Sequence, residues 1–73
     1  MKTVSLGEKV KAQRESKGYT RQMLSAKAAI SPMTLYRIEN NIGTANIRTL
    51  KVIAQALGVK LKEIQPERRE ETR

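Results

Sequence analysis

Four helix-start signals divide this chain into segments that leave room for short helices and little else. Ser5-Leu6-Gly7-Glu8 places a Ser at a cap and a Glu three residues on, the capping-box pattern. Thr20, Ser31 with Pro32 behind it, and Asn46 or Thr44 open the other three. Each carries a side-chain oxygen that can accept from an unpaired backbone N–H, and Pro suits a first helical turn. Gly18 and Gly58 supply left-handed stops. The expected helices run from about Leu6 to Ser16, Arg21 to Ala28, Pro32 to Asn40 and Ile47 to Leu57, with one further turn around Leu61 and Ile64. No repeat and no strand-like alternation appears, so the fold class is all-α, a compact bundle of four to five short helices.

Helical spacing then sorts the faces. Leu6, Val10 and Arg14 are four apart and share one side of the first helix. Arg14 therefore either snorkels from the edge of the core or is held by a buried acid. Tyr19 can pack on Leu24 as a hydrophobic staple, with Leu24, Ala28 and Ile30 pointing inward. Leu50, Ile53, Ala54 and Leu57 form the stripe of the fourth helix. The third helix divides most sharply, because Leu35 and Ile38 face in while Met33, Tyr36, Arg37 and Asn40 lie opposite. A soluble domain has no evident use for Met, Tyr and Arg side by side on an outward face. A helix that presses that face into the DNA major groove does.

At 73 residues, one domain is near the lower size for folding without metal or disulfide help. The chain has no Cys and no His, which removes disulfides and the usual zinc ligands together. No paired carboxylates and no glycine-rich phosphate loop are present, so neither an enzyme nor a cofactor is expected. The first residues lack the apolar run of a signal peptide, and no stretch could cross a bilayer; the expected location is the cytoplasm.

The formal charge is +8, and its distribution says more than its size. Residues 1–62 hold 12 basic side chains against Glu8, Glu15 and Glu39, whereas residues 63–73 hold 3 basic and 4 acidic. Between Ser16 and Lys62 the only acid is Glu39. A one-signed surface favours a polyanion, because phosphate contacts release condensed counterions. A merely solubilising surface gives the same count, so charge alone does not decide.

The spacing of Leu24, Ile30, Leu35 and Ile38, the run Arg37-Ile38-Glu39-Asn40, and the close Ala56-Leu57-Gly58-Val59 together resemble the Cro and repressor-type (Xre-like) helix-turn-helix family of phage, plasmid and bacterial regulators. The resemblance runs from about Ser5 to Ile64 and implies a lambda-repressor-like DNA-binding domain over residues 1–65, with residues 66–73 as a flexible tail. In such domains the first helix of the motif crosses the backbone and the second enters the major groove. Carried onto this chain, the resemblance puts Ser31, Met33 and Arg37 at base-facing positions, with Tyr36 on the same flank. It puts Arg21, Asn40 and Arg48 against phosphates. It also pairs Arg14 with Glu39, fixing how the recognition helix is presented. Arg37 can bond O6 and N7 of a guanine together, worth about 1–3 kcal/mol of discrimination. Met33 has no such fork and offers contact to a thymine methyl.

Several positions depart from the family pattern. Ala29 and Asn41 stand where Gly is common, Ser25 where Ala is usual, and Pro32 where a polar contact is often made. Pro32 bears most on sequence preference.

The implied function is a sequence-specific, Cro-like regulator of transcription, binding double-stranded DNA at a two-fold operator as a homodimer, weak or DNA-induced. One recognition helix reads only a few base pairs, so two are needed, about 34 Å apart. Val59, Leu61 and Ile64 are the candidate dimer surface, with a core role as the alternative. No membrane partner and no small-molecule ligand are expected, since the chain leaves no room for a sensing domain. The competing reading is a protein-interaction module on the same fold, an antitoxin partner or adaptor. RNA binding is weaker, because only Tyr19 and Tyr36 could stack on bases.

Overall fold

A computed structural model describes residues 5–43 and 45–65. Thr44, the four N-terminal residues and the tail beyond Gln65 lie outside the described residues, and with them the alternative cap at Thr44 and the expected flexible tail. The elements are α1 (Leu6–Ser16), α2 (Arg21–Ala28), α3 (Pro32–Glu39), α4 (Ile47–Leu57) and a 3-10 turn (Leu61–Glu63). No strand occurs among the described residues. None of the described helices is long and apolar enough to cross a membrane.

Side-chain caps start every α-helix. Ser5 Oγ accepts from the Glu8 backbone N at 3.2 Å while Glu8 Oε1 accepts from the Ser5 N, completing the capping box. Thr20, Ser31 and Asn46 accept from the backbone N of Met23, Thr34 and Thr49 at 3.0, 3.1 and 2.9 Å. Each such cap typically contributes about 1 kcal/mol. Gly58 closes α4 at φ 74°, in the left-handed region. The α2–α3 turn takes the same geometry at Ala29, φ 59° and ψ 42°. The Ala29 and Ile30 N–H groups there donate to the carbonyls of Ala26 and Ser25. A Cβ in that conformation costs on the order of 1 kcal/mol, and the turn bears it.

The core gathers one stripe from every helix. Val10, Leu24, Leu35, Ile53, Leu57 and Ile64 are fully buried, with Ala28, Ile38, Leu50 and Ala54 around them. Leu6, Tyr19 and Ile30 pack against this cluster half-buried. Helix α2 lies on both α3 and α4, and α1 lies on α3. Where α1 and α3 meet, Gly7 brings the backbones together: a Cβ there would sit 2.4 Å from the Glu39 carbonyl oxygen.

Ile64 corrects an expectation. Placed on the candidate dimer surface, it has no exposed area and completes the core beneath the end of α4. The 3-10 turn folds it inward, because a branched apolar side chain gains more from joining the core cluster than from solvent. Val59 and Leu61 pack on the same cluster but keep part of their surface exposed.

Candidate nucleic-acid interface

Helix α3 is anchored at its C-terminal end by charge. Arg14 Nε donates to Glu39 Oε2 at 2.6 Å, and Arg14 Nη2 donates to Oε1 at 3.1 Å. A third donor, Nη1, reaches the Tyr19 carbonyl at 2.9 Å. The Glu39 side chain is 1% exposed and that of Arg14 9%. Such a fork-to-carboxylate pair sets both distance and orientation. Asn41 ties the same junction from outside. Its Oδ1 accepts from the Gly7 N–H at 3.0 Å, and its Nδ2 donates to Ser5 Oγ at 3.1 Å. Asn41 does this at φ 58°, a left-handed conformation that Asn tolerates better than most residues.

The opposite face of α3 stays open. Met33 is 55% exposed and Tyr36 42%, and Arg37 is exposed beside them. Among the described residues the Arg37 guanidinium makes no hydrogen bond or ion pair, which leaves its fork available. Open clefts flank this face. One of about 480 Å³, between the start of α2 and α3, is lined by Thr20, Arg21, Gln22, Pro32, Met33 and Tyr36. Another, of about 430 Å³, lies towards α4 and includes Thr34, Arg37, Ile42 and Asn46.

The remaining candidate side chains are placed as follows. Ser31 Oγ is committed to capping α3 and lies 2.9 Å from Thr34 Oγ1, so it has little left for a base. Asn40 Nδ2 donates back to the Tyr36 carbonyl at 2.8 Å. Arg48 is exposed in the first turn of α4. Arg21 does more than lie on the surface. Its Nε donates to Glu39 Oε1 at 3.2 Å, and its guanidinium carbon lies 5.3 Å from the Tyr36 ring centroid. Sequence spacing carries no signal for this, because Arg21, Tyr36 and Glu39 converge only when α2 docks on α3. The Asn41 bridge and the Gly7 contact are equally silent in the sequence for the same reason.

Comparison with known proteins agrees with this fold. A helix-turn-helix family model (HTH_3) matches residues 10–64. No curated protein sequence matches the chain. Among solved structures, the N-terminal DNA binding domain of SinR from Bacillus subtilis superposes with a TM-score of 0.79 at 29% identity, covering 89% of this chain and 96% of that one. SinR, the master regulator for biofilm formation, in complex with DNA gives 0.75 at 29% identity over 78% and 92% of the two chains. The restriction-modification controller protein C.AhdI from Aeromonas hydrophila shares the fold, with a TM-score of 0.81 at 18% identity over 84% and 92%. With the motif on α2 and α3, the exposed outer face of α3 and the family match over most of its length, the chain belongs to the helix-turn-helix family of DNA-binding transcriptional regulators.

Proposed function

We propose that the chain is a Cro-like, sequence-specific repressor that binds a two-fold operator as a dimer, with α3 in the major groove. The observation that carries this reading is the outward face of α3, where Met33, Tyr36 and Arg37 stand exposed on a helix whose other side is pinned through Glu39. Rigid presentation favours base reading, because the helix itself need not be repositioned on binding. The net charge of +8 and a relative whose structure is a complex with DNA support the polyanion partner. In this reading Arg37 contacts a guanine, Met33 and Tyr36 contact neighbouring bases, and Arg48 and Asn40 contact phosphates. Ser31 is left as a cap with at most a peripheral base contact. Val59 and Leu61 remain available for a dimer; Ile64 does not. The regulator lies in the cytoplasm, with its operator.

Selection of binding sites from a random duplex pool, followed by titration of wild type and Arg37→Ala, tests it. The expected result is a two-fold consensus and a loss of about 1–3 kcal/mol of discrimination at one base pair in the variant. A variant that binds every sequence as the wild type does sinks the repressor reading and favours a protein-interaction module on this fold.

A further inference from the structure

The cleft between the start of α2 and α3 has an apolar wall on α3 and flanks the face that carries Met33 and Arg37. Its α3 wall is the Pro32 ring, the exposed Met33 thioether and the Tyr36 ring. No carboxylate lines it. The α2 wall is polar: Thr20 Oγ1 accepts from the Met23 N–H and Arg21 Nε is bound to Glu39, while the Gln22 amide has no side-chain hydrogen bond among the described residues. With its Nε held inward and its guanidinium carbon 5.3 Å over the Tyr36 ring, Arg21 braces the ring. A tyrosine packed beneath a tethered guanidinium has little freedom left to lose on binding.

In the major groove, a pyrimidine presents to such a recess either an N4 amino donor, an O4 acceptor or a 5-methyl group. Among the described residues the cleft offers no anionic acceptor for the amino group, and its α3 wall of Pro32, Met33 and Tyr36 suits an apolar group. Resting on the proposal that α3 enters the major groove, we propose that this cleft is a site for the 5-methyl group of a pyrimidine, carried by thymine or by 5-methylcytosine. Tyr36 and Met33 contact the methyl, and Arg21 is a positioning residue that holds Tyr36 in place. Cytosine methylation at that position then strengthens binding and makes occupancy of the operator depend on the modification state of the DNA.

The test uses the full chain and the operator obtained by random-pool selection. At each pyrimidine in a half-site, affinity is compared for thymine against uracil and for 5-methylcytosine against cytosine, so each pair differs by one methyl. The readout is the affinity ratio within a pair, which general weakening of a variant does not move. At one position per half-site the methyl is expected to tighten binding about fourfold, the equivalent of about 0.8 kcal/mol for burying one such group. An effect in the thymine pair alone, in the cytosine pair alone, or in both supports the site and names the source of its methyl. Tyr36→Ala and Met33→Ala are expected to bring that ratio to one, Arg21→Ala to reduce it, and Tyr36→Phe, which keeps the ring, to preserve it. Ratios of one at every position, with selective operator binding intact, overturn the methyl site alone. Failure to select any sequence overturns the functional reading beneath it as well.

Discussion

Arg14 Nε and Glu39 Oε2 stand 2.6 Å apart, between the last turn of α1 and the last residue of α3, with both side chains almost wholly removed from water. Arg21 approaches the same carboxylate from α2 at 3.2 Å, but its side chain is 42% exposed. Three helices thus meet at one buried anion, and that anion also ends the helix that exposes Met33, Tyr36 and Arg37. No buried side-chain polar atom among the described residues lacks a partner, so the junction is fully satisfied.

The two arginines are therefore expected to behave differently. Removing Glu39 or Arg14 strands a buried charge, which typically costs about 3–5 kcal/mol, whereas a partly exposed pair is worth under about 1 kcal/mol. Urea unfolding of Arg14→Ala should show the large loss and Arg21→Ala the small one. For a domain whose whole stability is on the order of 5–15 kcal/mol, the first variant becomes marginal. Equal losses would mean that depth of burial does not set the strength of this network.

Gly7 gives a prediction of sign. In an open helix position, Gly→Ala stabilises by about 1 kcal/mol. Here the added Cβ would meet the Glu39 carbonyl oxygen at 2.4 Å and the Ile38 carbonyl oxygen at 2.7 Å, and both are backbone atoms that cannot swing aside. Parting α1 from α3 also strains the Asn41 bridge to Gly7 and Ser5. Gly7→Ala should lower the melting temperature, with a net destabilisation of about 1–3 kcal/mol. A rise would show that the helices separate without penalty.

Ile64 separates core from interface. As a fully buried residue its replacement by Ala should destabilise the fold by about 2–5 kcal/mol. That loss should not depend on protein concentration, because no association is being removed. Val59→Ala and Leu61→Ala change exposed as well as buried surface, so a concentration-dependent loss there would mark a dimer contact. Melting curves over a hundredfold range of protein concentration distinguish the cases.

Much of this arrangement is legible from local signals. The caps at Ser5, Thr20, Ser31 and Asn46 and the stop at Gly58 are encoded within four residues, and the observed helix boundaries follow them. The inward stripe of α4 is likewise a matter of spacing. The turn at Ala29 is harder to read, since an Ala in the left-handed region runs against its own preference and only the surrounding hydrogen bonds hold it there. What spacing cannot supply is anything that depends on three helices meeting. The second arginine on Glu39, the brace on Tyr36 and the Gly7 approach arise between residues 15 or more apart in sequence. Ile64 is ambiguous for a related reason: a single apolar residue in a short turn has no periodicity to orient it.

The same contrast between free and tethered arginines governs the salt dependence of DNA binding. Removing one phosphate-binding cation lowers the slope of log affinity against log salt by about 0.9. Arg48 is exposed at the start of α4, with no partner among the described side chains, so Arg48→Ala should weaken binding to all sequences alike and lower the slope by about one unit. The family resemblance puts Arg21 at a phosphate too, but its Nε is drawn inward to Glu39 and its guanidinium carbon lies over the Tyr36 ring. Arg21→Ala should therefore change the slope less than Arg48→Ala and the sequence preference more. Titrations at several salt concentrations against the operator and an unrelated duplex measure both quantities. A full-unit change in slope for Arg21→Ala with unaltered preference would return that residue to the DNA backbone and leave Tyr36 unbraced.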